Sequence, residues 1–148
     1  MADPNYGEVV QVIGPSVDIR FPADRLPNIL NAILLDVPDR AIHLTLEVAQ
    51  HVGNNTVRCI ALDATDGLVR GTKALDTGHP ISVPVGRQTL GRIFNLLGQP
   101  IDERGELAEP KRRAPIHKAP PSFKDQLPVS AIFETGIKVI DLLAPYPK

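Results

Sequence analysis

A phosphate-gripping loop of the Gly-x-x-x-x-Gly-Lys-Ser/Thr type needs a glycine–lysine pair, because backbone amides cradle the phosphates while the lysine supplies charge. The six lysines of this chain follow Thr72, Pro110, His117, Phe123, Ile137 and Pro147, so the pair is absent. A Gly-x-Gly-x-x-Gly dinucleotide loop is absent too. Gly14-Pro15-Ser16-Val17-Asp18 superficially resembles a nucleophile elbow, but it lacks the second glycine, and Ser16 is expected in a hairpin turn rather than ahead of a helix. His43, His51, His79 and His117 show no His-x-x-x-His spacing and have no cysteine partners, which is the wrong arrangement for zinc. The single thiol, Cys59, shares a strand face with Val57 and Ala61 and reads as buried, inert filler.

Asp102, Glu103 and Glu106 flank Gly105 and are expected to be solvated charges in a polar turn. Lys111-Arg112-Arg113 with His117-Lys118 is the only basic cluster. Glu103, Glu106 and Glu109 precede it and no aromatic interleaves it, so a solvated or subunit-facing loop is expected rather than a nucleic-acid site. No catalytic, cofactor-binding or metal-binding residue is assigned from these patterns.

The elements that must carry these residues follow from composition and periodicity. The chain has 148 residues, roughly the length of one ordinary domain, and its 16 basic and 17 acidic side chains leave a net charge of -1, poorly suited to gripping phosphates. No apolar run approaches the roughly 20 residues of a membrane span, and Met1-Ala2-Asp3-Pro4 has neither region of a signal peptide. A soluble protein of a reducing compartment is expected. The 15 prolines are about twice the usual share of roughly 5% and argue against a helical bundle. Proline is absent between Pro38 and Pro80, and ten prolines lie from Pro80 onward. Charge divides there as well: residues 1–80 carry six basic and ten acidic groups, net -4, and residues 81–148 carry ten basic and seven acidic, net +3. A domain boundary is therefore placed near Pro80.

The first part reads as short strands. Ile42-His43-Leu44-Thr45-Leu46-Glu47-Val48 alternates without fault, with His43 on its polar face. Runs at 7–13 and 17–21 flank the Gly14-Pro15 turn, and Gly53-Asn54-Asn55 separates the 42–50 strand from one at 56–62. Five or six such strands in about 80 residues suit a small closed barrel. In the second part, Thr89 as N-cap with Leu90, Ile93, Phe94 and Leu97 predicts a helix ending at Gly98. A second helix is expected from near Thr135, with Phe133, Ile137, Ile140 and Ala144 forming its stripe up to Pro145. The proline-rich stretch from Pro100 to Pro128 reads as a long connection.

Several strings together carry a resemblance. Gly7-Glu8-Val9-Val10-Gln11-Val12-Ile13-Gly14-Pro15, Leu46-Glu47-Val48-Ala49-Gln50-His51 and Thr65-Asp66-Gly67-Leu68-Val69-Arg70-Gly71 resemble the opening of the catalytic β-subunit of F-type ATP synthases. So do Val83-Pro84-Val85-Gly86, Thr89-Leu90-Gly91-Arg92, Gly98-Gln99-Pro100-Ile101-Asp102, Pro115-Ile116-His117 and Thr135-Gly136-Ile137-Lys138-Val139-Ile140-Asp141-Leu142-Leu143-Ala144-Pro145-Tyr146. Ser16 stands where that family usually has valine, and Ser130-Ala131 precede Ile132 where a glutamate is common.

The resemblance implies a mainly β chain: a six-stranded closed N-terminal barrel in residues 1–80, then in 81–148 the incomplete start of a P-loop α/β nucleotide-binding domain. In that family the P-loop, and with it every catalytic residue, follows the counterpart of Lys148. The 148 residues alone are thus expected to be inactive, with ATP or ADP and Mg²⁺ bound by the whole subunit. Implied partners are α-subunits of the α3β3 ring, held through the barrel, and the central stalk through later residues. The implied location is peripheral, on the cytoplasmic face of a bacterial plasma membrane or on an organelle inner or thylakoid membrane, with the membrane reached only through the full complex. A free-standing barrel module that binds nucleic acid or protein is the alternative reading.

Overall fold

A computed structural model describes residues 3–38, 42–107, 112–126 and 131–147. Six strands dominate it: β1 (Asn5–Ile13), β2 (Ser16–Arg20), β3 (Asn31–Val37), β4 (Ile42–Gly53), β5 (Thr56–Ala61) and β6 (Lys73–Pro80). They close into an antiparallel barrel in the order β1-β2-β5-β4-β3-β6, with β6 returning to pair with β1. The chain is mainly β, as the alternation implied, and closure leaves the six-stranded sheet without an open edge.

Each hairpin follows from its turn residues. Gly14, at φ 54, and Pro15 turn β1 into β2, so Ser16 opens β2 opposite Ile13 instead of sitting in the turn itself. Asn54 and Asn55 both adopt positive φ (49° and 57°), the conformation that a two-residue type I′ turn requires, and Gly53 pairs with Thr56 across it. Gly7 is needed for a different reason. A Cβ there would lie 2.7 Å from the Arg20 carbonyl oxygen and 2.9 Å from side-chain atoms of Ile19 and Phe21, so only a bare backbone lets β1 lie against β2.

The interior is filled by inward side chains: Val9 from β1, Val17 and Ile19 from β2, Ile33 and Leu35 from β3, Leu44, Leu46 and Val48 from β4, and Val57, Cys59 and Ala61 from β5. Phe21 and Ala74 complete it. Eleven of these thirteen residues are aliphatic, which fits the narrow lumen of a small barrel. A carboxylate pins the closing strand. Asp76 of β6 accepts Asn31 Nδ2 at 3.0 Å, Asn5 Nδ2 at 3.2 Å and the Gly78 amide at 2.9 Å, so one side chain ties β6 to both its neighbours.

The first compact unit runs on to His117, beyond the last barrel strand. In it β7 (Ser82–Pro84) pairs antiparallel with β8 (Arg113–Pro115), Ser82 opposite Pro115 and Pro84 opposite Arg113. The helix expected from Thr89 to Leu97 does not form. A single 3-10 turn covers Arg87–Thr89, Leu90 is extended, and Gly91 takes φ 69. The amides that a helix would have used are claimed by side chains: Asn95 Oδ1 accepts from Leu97 and Gln99, and Asp102 Oδ2 accepts from Ile93. Leu90 and Ile93 are exposed and Phe94 and Leu97 only half-buried, so the i, i+3, i+4, i+7 spacing there is not a buried stripe.

The second compact unit starts at Lys118. Its described residues hold a 3-10 turn at Phe123–Asp125, a short ladder between β9 (Ile132–Phe133) and β10 (Tyr146–Pro147), and helix α1 (Lys138–Leu143). A helix ending ahead of Pro145 agrees with expectation, but Phe133 belongs to β9 and not to a helical stripe.

Candidate functional site

The structure separates most of the residues whose chemistry the sequence raised. Cys59 faces the barrel interior on β5, fully buried, and burial pushes its thiol up to about 12, helped by the negative charges of Asp18 and Asp76. A thiol held protonated in this way is no nucleophile. Ser16, at the head of β2, has Ile13 and Ile60 as its strand partners.

The histidines are dispersed. His43 sits on the outer face of β4, with Nδ1 2.9 Å from Asp36 of the neighbouring strand, at the lip of a cleft of about 350 Å³ that also involves Asp63, Asn95 and Leu97. His51 Nε2 donates to the Pro27 carbonyl at 2.7 Å, and His79 Nδ1 lies 3.2 Å from the Pro80 carbonyl. His117 Nε2 meets Glu47 at 2.7 Å. Among the described residues, no three His, Cys, Asp or Glu side chains converge as metal ligands would.

Asp102 departs from the solvated role expected of it. Its side chain is 5% exposed and takes two bonds from the Arg92 guanidinium, at 2.6 Å from Nε and 2.9 Å from Nη2. Arg92, followed by the Arg104 and Ile93 amides, holds the carboxyl well below the usual aspartate range despite its burial. Arg92 Nη2 also reaches the Gly105 carbonyl, so the pair staples the 92–105 loop. Asp102 is thus an internal brace, whereas Glu103 and Glu106 of the same turn are exposed, as expected. Of the basic cluster, Lys111 and the nearby Glu109 lie outside the described residues, as does Ser130. Arg113 is turned to backbone, donating from Nη2 to the carbonyls of Ser82 and Leu97.

A nucleotide needs open amides at a helix N-terminus, a glycine-rich loop and a lysine. Helix α1 lacks the first of these. The Thr135 and Gly136 amides both donate to Asp141, each at 3.0 Å, and the Thr135 hydroxyl adds a 2.6 Å bond. Those bonds, led by the Thr135 hydroxyl, lower the Asp141 carboxyl below its ordinary value. Among the described residues, the start of α1 therefore has the Thr135 and Gly136 amides already taken by Asp141.

What remains is the barrel itself. Its outer wall combines half-exposed apolar residues, such as Leu34 of β3 and Ile60 of β5, with the polar contacts His43–Asp36 and Arg58–Asp18. The polar ties of Asp76 and the Arg92–Asp102 staple escaped sequence reading, because each joins residues that share no local motif. Against known families, residues 9–78 match the ATP synthase alpha/beta family beta-barrel domain, a span opening inside β1 and closing inside β6. The match takes in 70 of the 148 residues, all of them within the barrel, and marks the barrel as similar to that family's domain.

Proposed function

We propose that this chain is the N-terminal portion of the catalytic β-subunit of an F-type ATP synthase, and that its barrel ties the subunit to neighbouring α-subunits in the α3β3 ring. The observation that carries this reading is the closed six-stranded barrel over the residues of the family match, continued by the strings from Val83 to Tyr146 that resemble the β-subunit. On this reading residues 81–148 begin the nucleotide-binding domain. The whole subunit, with ATP or ADP and Mg²⁺, makes or hydrolyses ATP by rotation coupled to ion flow and meets the central stalk through later residues. It works at a membrane surface, on the bacterial cytoplasmic face or its organelle equivalent.

The 148 residues act here as a structural and assembly piece. Phosphoryl transfer rests on positioning and charge stabilisation by a P-loop and its metal, and the sequence carries no such loop. The test is co-expression of the chain with an F-type α-subunit, followed by light scattering on the eluted complex. Co-elution with α, and no Mg²⁺-dependent ATP hydrolysis by the purified chain, are expected. Failure to bind α together with steeply salt-dependent binding of single-stranded DNA overturns the reading in favour of a nucleic-acid module.

A further inference from the structure

One contact in the first compact unit joins residues 70 positions apart without belonging to any strand ladder. His117 Nε2 lies 2.7 Å from Glu47 Oε2, with the two side chains 38% and 22% exposed. Glu47 projects from the barrel wall on β4, where its strand partners are Ala32 on β3 and Ile60 on β5. His117 is the last residue of that unit, two positions beyond β8.

The ribbon that leads to His117 is held by few backbone pairs. The β7–β8 ladder is three residues long, extended at its two ends by Val85 N–H to the Arg112 carbonyl (2.8 Å) and Ile116 N–H to the Ile81 carbonyl (2.9 Å). A two-stranded ribbon is marginal in water and needs an outside anchor. Nearby, Asp36 is engaged with His43, Arg58 with Asp18, and Arg113 with the Ser82 and Leu97 carbonyls. A neutral imidazole keeps the contact to Glu47 by donating its Nε2–H, and a charged one adds Coulombic attraction, so the contact holds in either state.

We propose that Glu47 and His117 form a clasp that seats the 112–117 segment on the barrel wall and fixes the point at which the chain leaves the first unit. The clasp is a conformational device, and both residues are positioning residues.

Hydrogen exchange on the full chain tests it through a double-mutant cycle of Glu47→Ala, His117→Ala and the two combined, each single change removing one hydrogen-bonding partner outright. Each single substitution is expected to speed exchange of the Val85 and Ile116 amides about two- to five-fold, the range of a partly exposed ion pair, with the double variant no faster than the faster single one. The amides of Ile33 and Leu46 in the barrel are expected to keep their protection. Unchanged exchange in the single variants overturns the clasp, as does a double variant whose acceleration is the product of the two. Equal acceleration in the barrel amides also overturns it, since the pair then holds the barrel and not the segment.

Discussion

Asp18 and Arg58 stand directly opposite each other across the β2–β5 pairing, and the guanidinium grips the carboxylate with two 2.8 Å bonds, one from Nε and one from Nη2. The Asp18 side chain is 12% exposed, whereas that of Arg58 is 43% exposed, so the arginine lies over the carboxylate as a cover. This bidentate bond outweighs burial and lowers the Asp18 carboxyl below its ordinary value.

The pH dependence follows from that direction. A carboxyl with a lower value in the folded state stabilises the fold above its unfolded value of about 3.9, and this contribution is lost as pH falls through the folded value. Asp18→Asn is therefore expected to melt at lower temperature than wild type at pH 7, with the gap narrowing as the pH drops below about 4. Thermal unfolding by circular dichroism across that range checks it. Equal melting temperatures at pH 7 contradict it.

Leu46 is fully buried in the barrel, whereas Ile60 projects outward at 42% exposure. Leu46→Ala is expected to cost about 2–5 kcal/mol, the transfer loss plus the cavity. Ile60→Ala in the isolated chain should stay within roughly 0.5 kcal/mol of wild type. Urea unfolding curves distinguish the two.

Gly7→Ala places a methyl 2.7 Å from the Arg20 carbonyl oxygen, where backbone cannot yield cheaply. A loss of about 1–3 kcal/mol is expected, as for other overpacked sites, with faster amide exchange along β1 and β2. Wild-type stability in this variant would show that β1 is not held as close to β2 as described.

Asp102→Ala removes the acceptor for the Arg92 side chain and for the Ile93 and Arg104 amides. The 92–105 loop is expected to open, seen as faster tryptic cleavage after Arg92 and Arg104, while the barrel amides keep their protection. In wild type, carbon-detected titration should find the Asp102 carboxyl still ionised at pH values where ordinary aspartates take up protons.

Cys59, with its thiol raised to about 12, is expected to resist a thiol-specific disulfide reagent at pH 8 in the folded chain. It should react fully once the chain is unfolded in guanidinium. Rapid reaction of the native protein would contradict the burial of β5.

Much of the barrel was legible because its chemistry is local. The alternation from Ile42 to Val48 named the inward face of β4, and Gly14-Pro15 and Asn54-Asn55 marked turns that form as expected. β3 and β6 were not individually named. Asn31–Val37 is a nearly continuous apolar run with no period of two, and Lys73–Pro80 has only Ala74 fully buried. β6 is a strand because backbone pairing to β1 and β3 on both sides holds it there. The helix expected at 89–97 failed for the converse reason: an apparent helical spacing met Gly91 at positive φ and side chains that capture the backbone.

The candidate site divides along the same line. From the sequence alone came the burial of Cys59, the outward place of His43 and the lack of a phosphate loop, since each depends on a residue and its immediate neighbours. Which polar groups meet was decided only by the tertiary structure. Asp18 with Arg58, Asp76 with Asn5 and Asn31, Arg92 with Asp102 and Glu47 with His117 are pairs set by strand register, barrel closure and loop path. A one-dimensional pattern records which face a side chain takes. It does not record what stands opposite, because that depends on how distant strands align, and one residue of slip would exchange every partner.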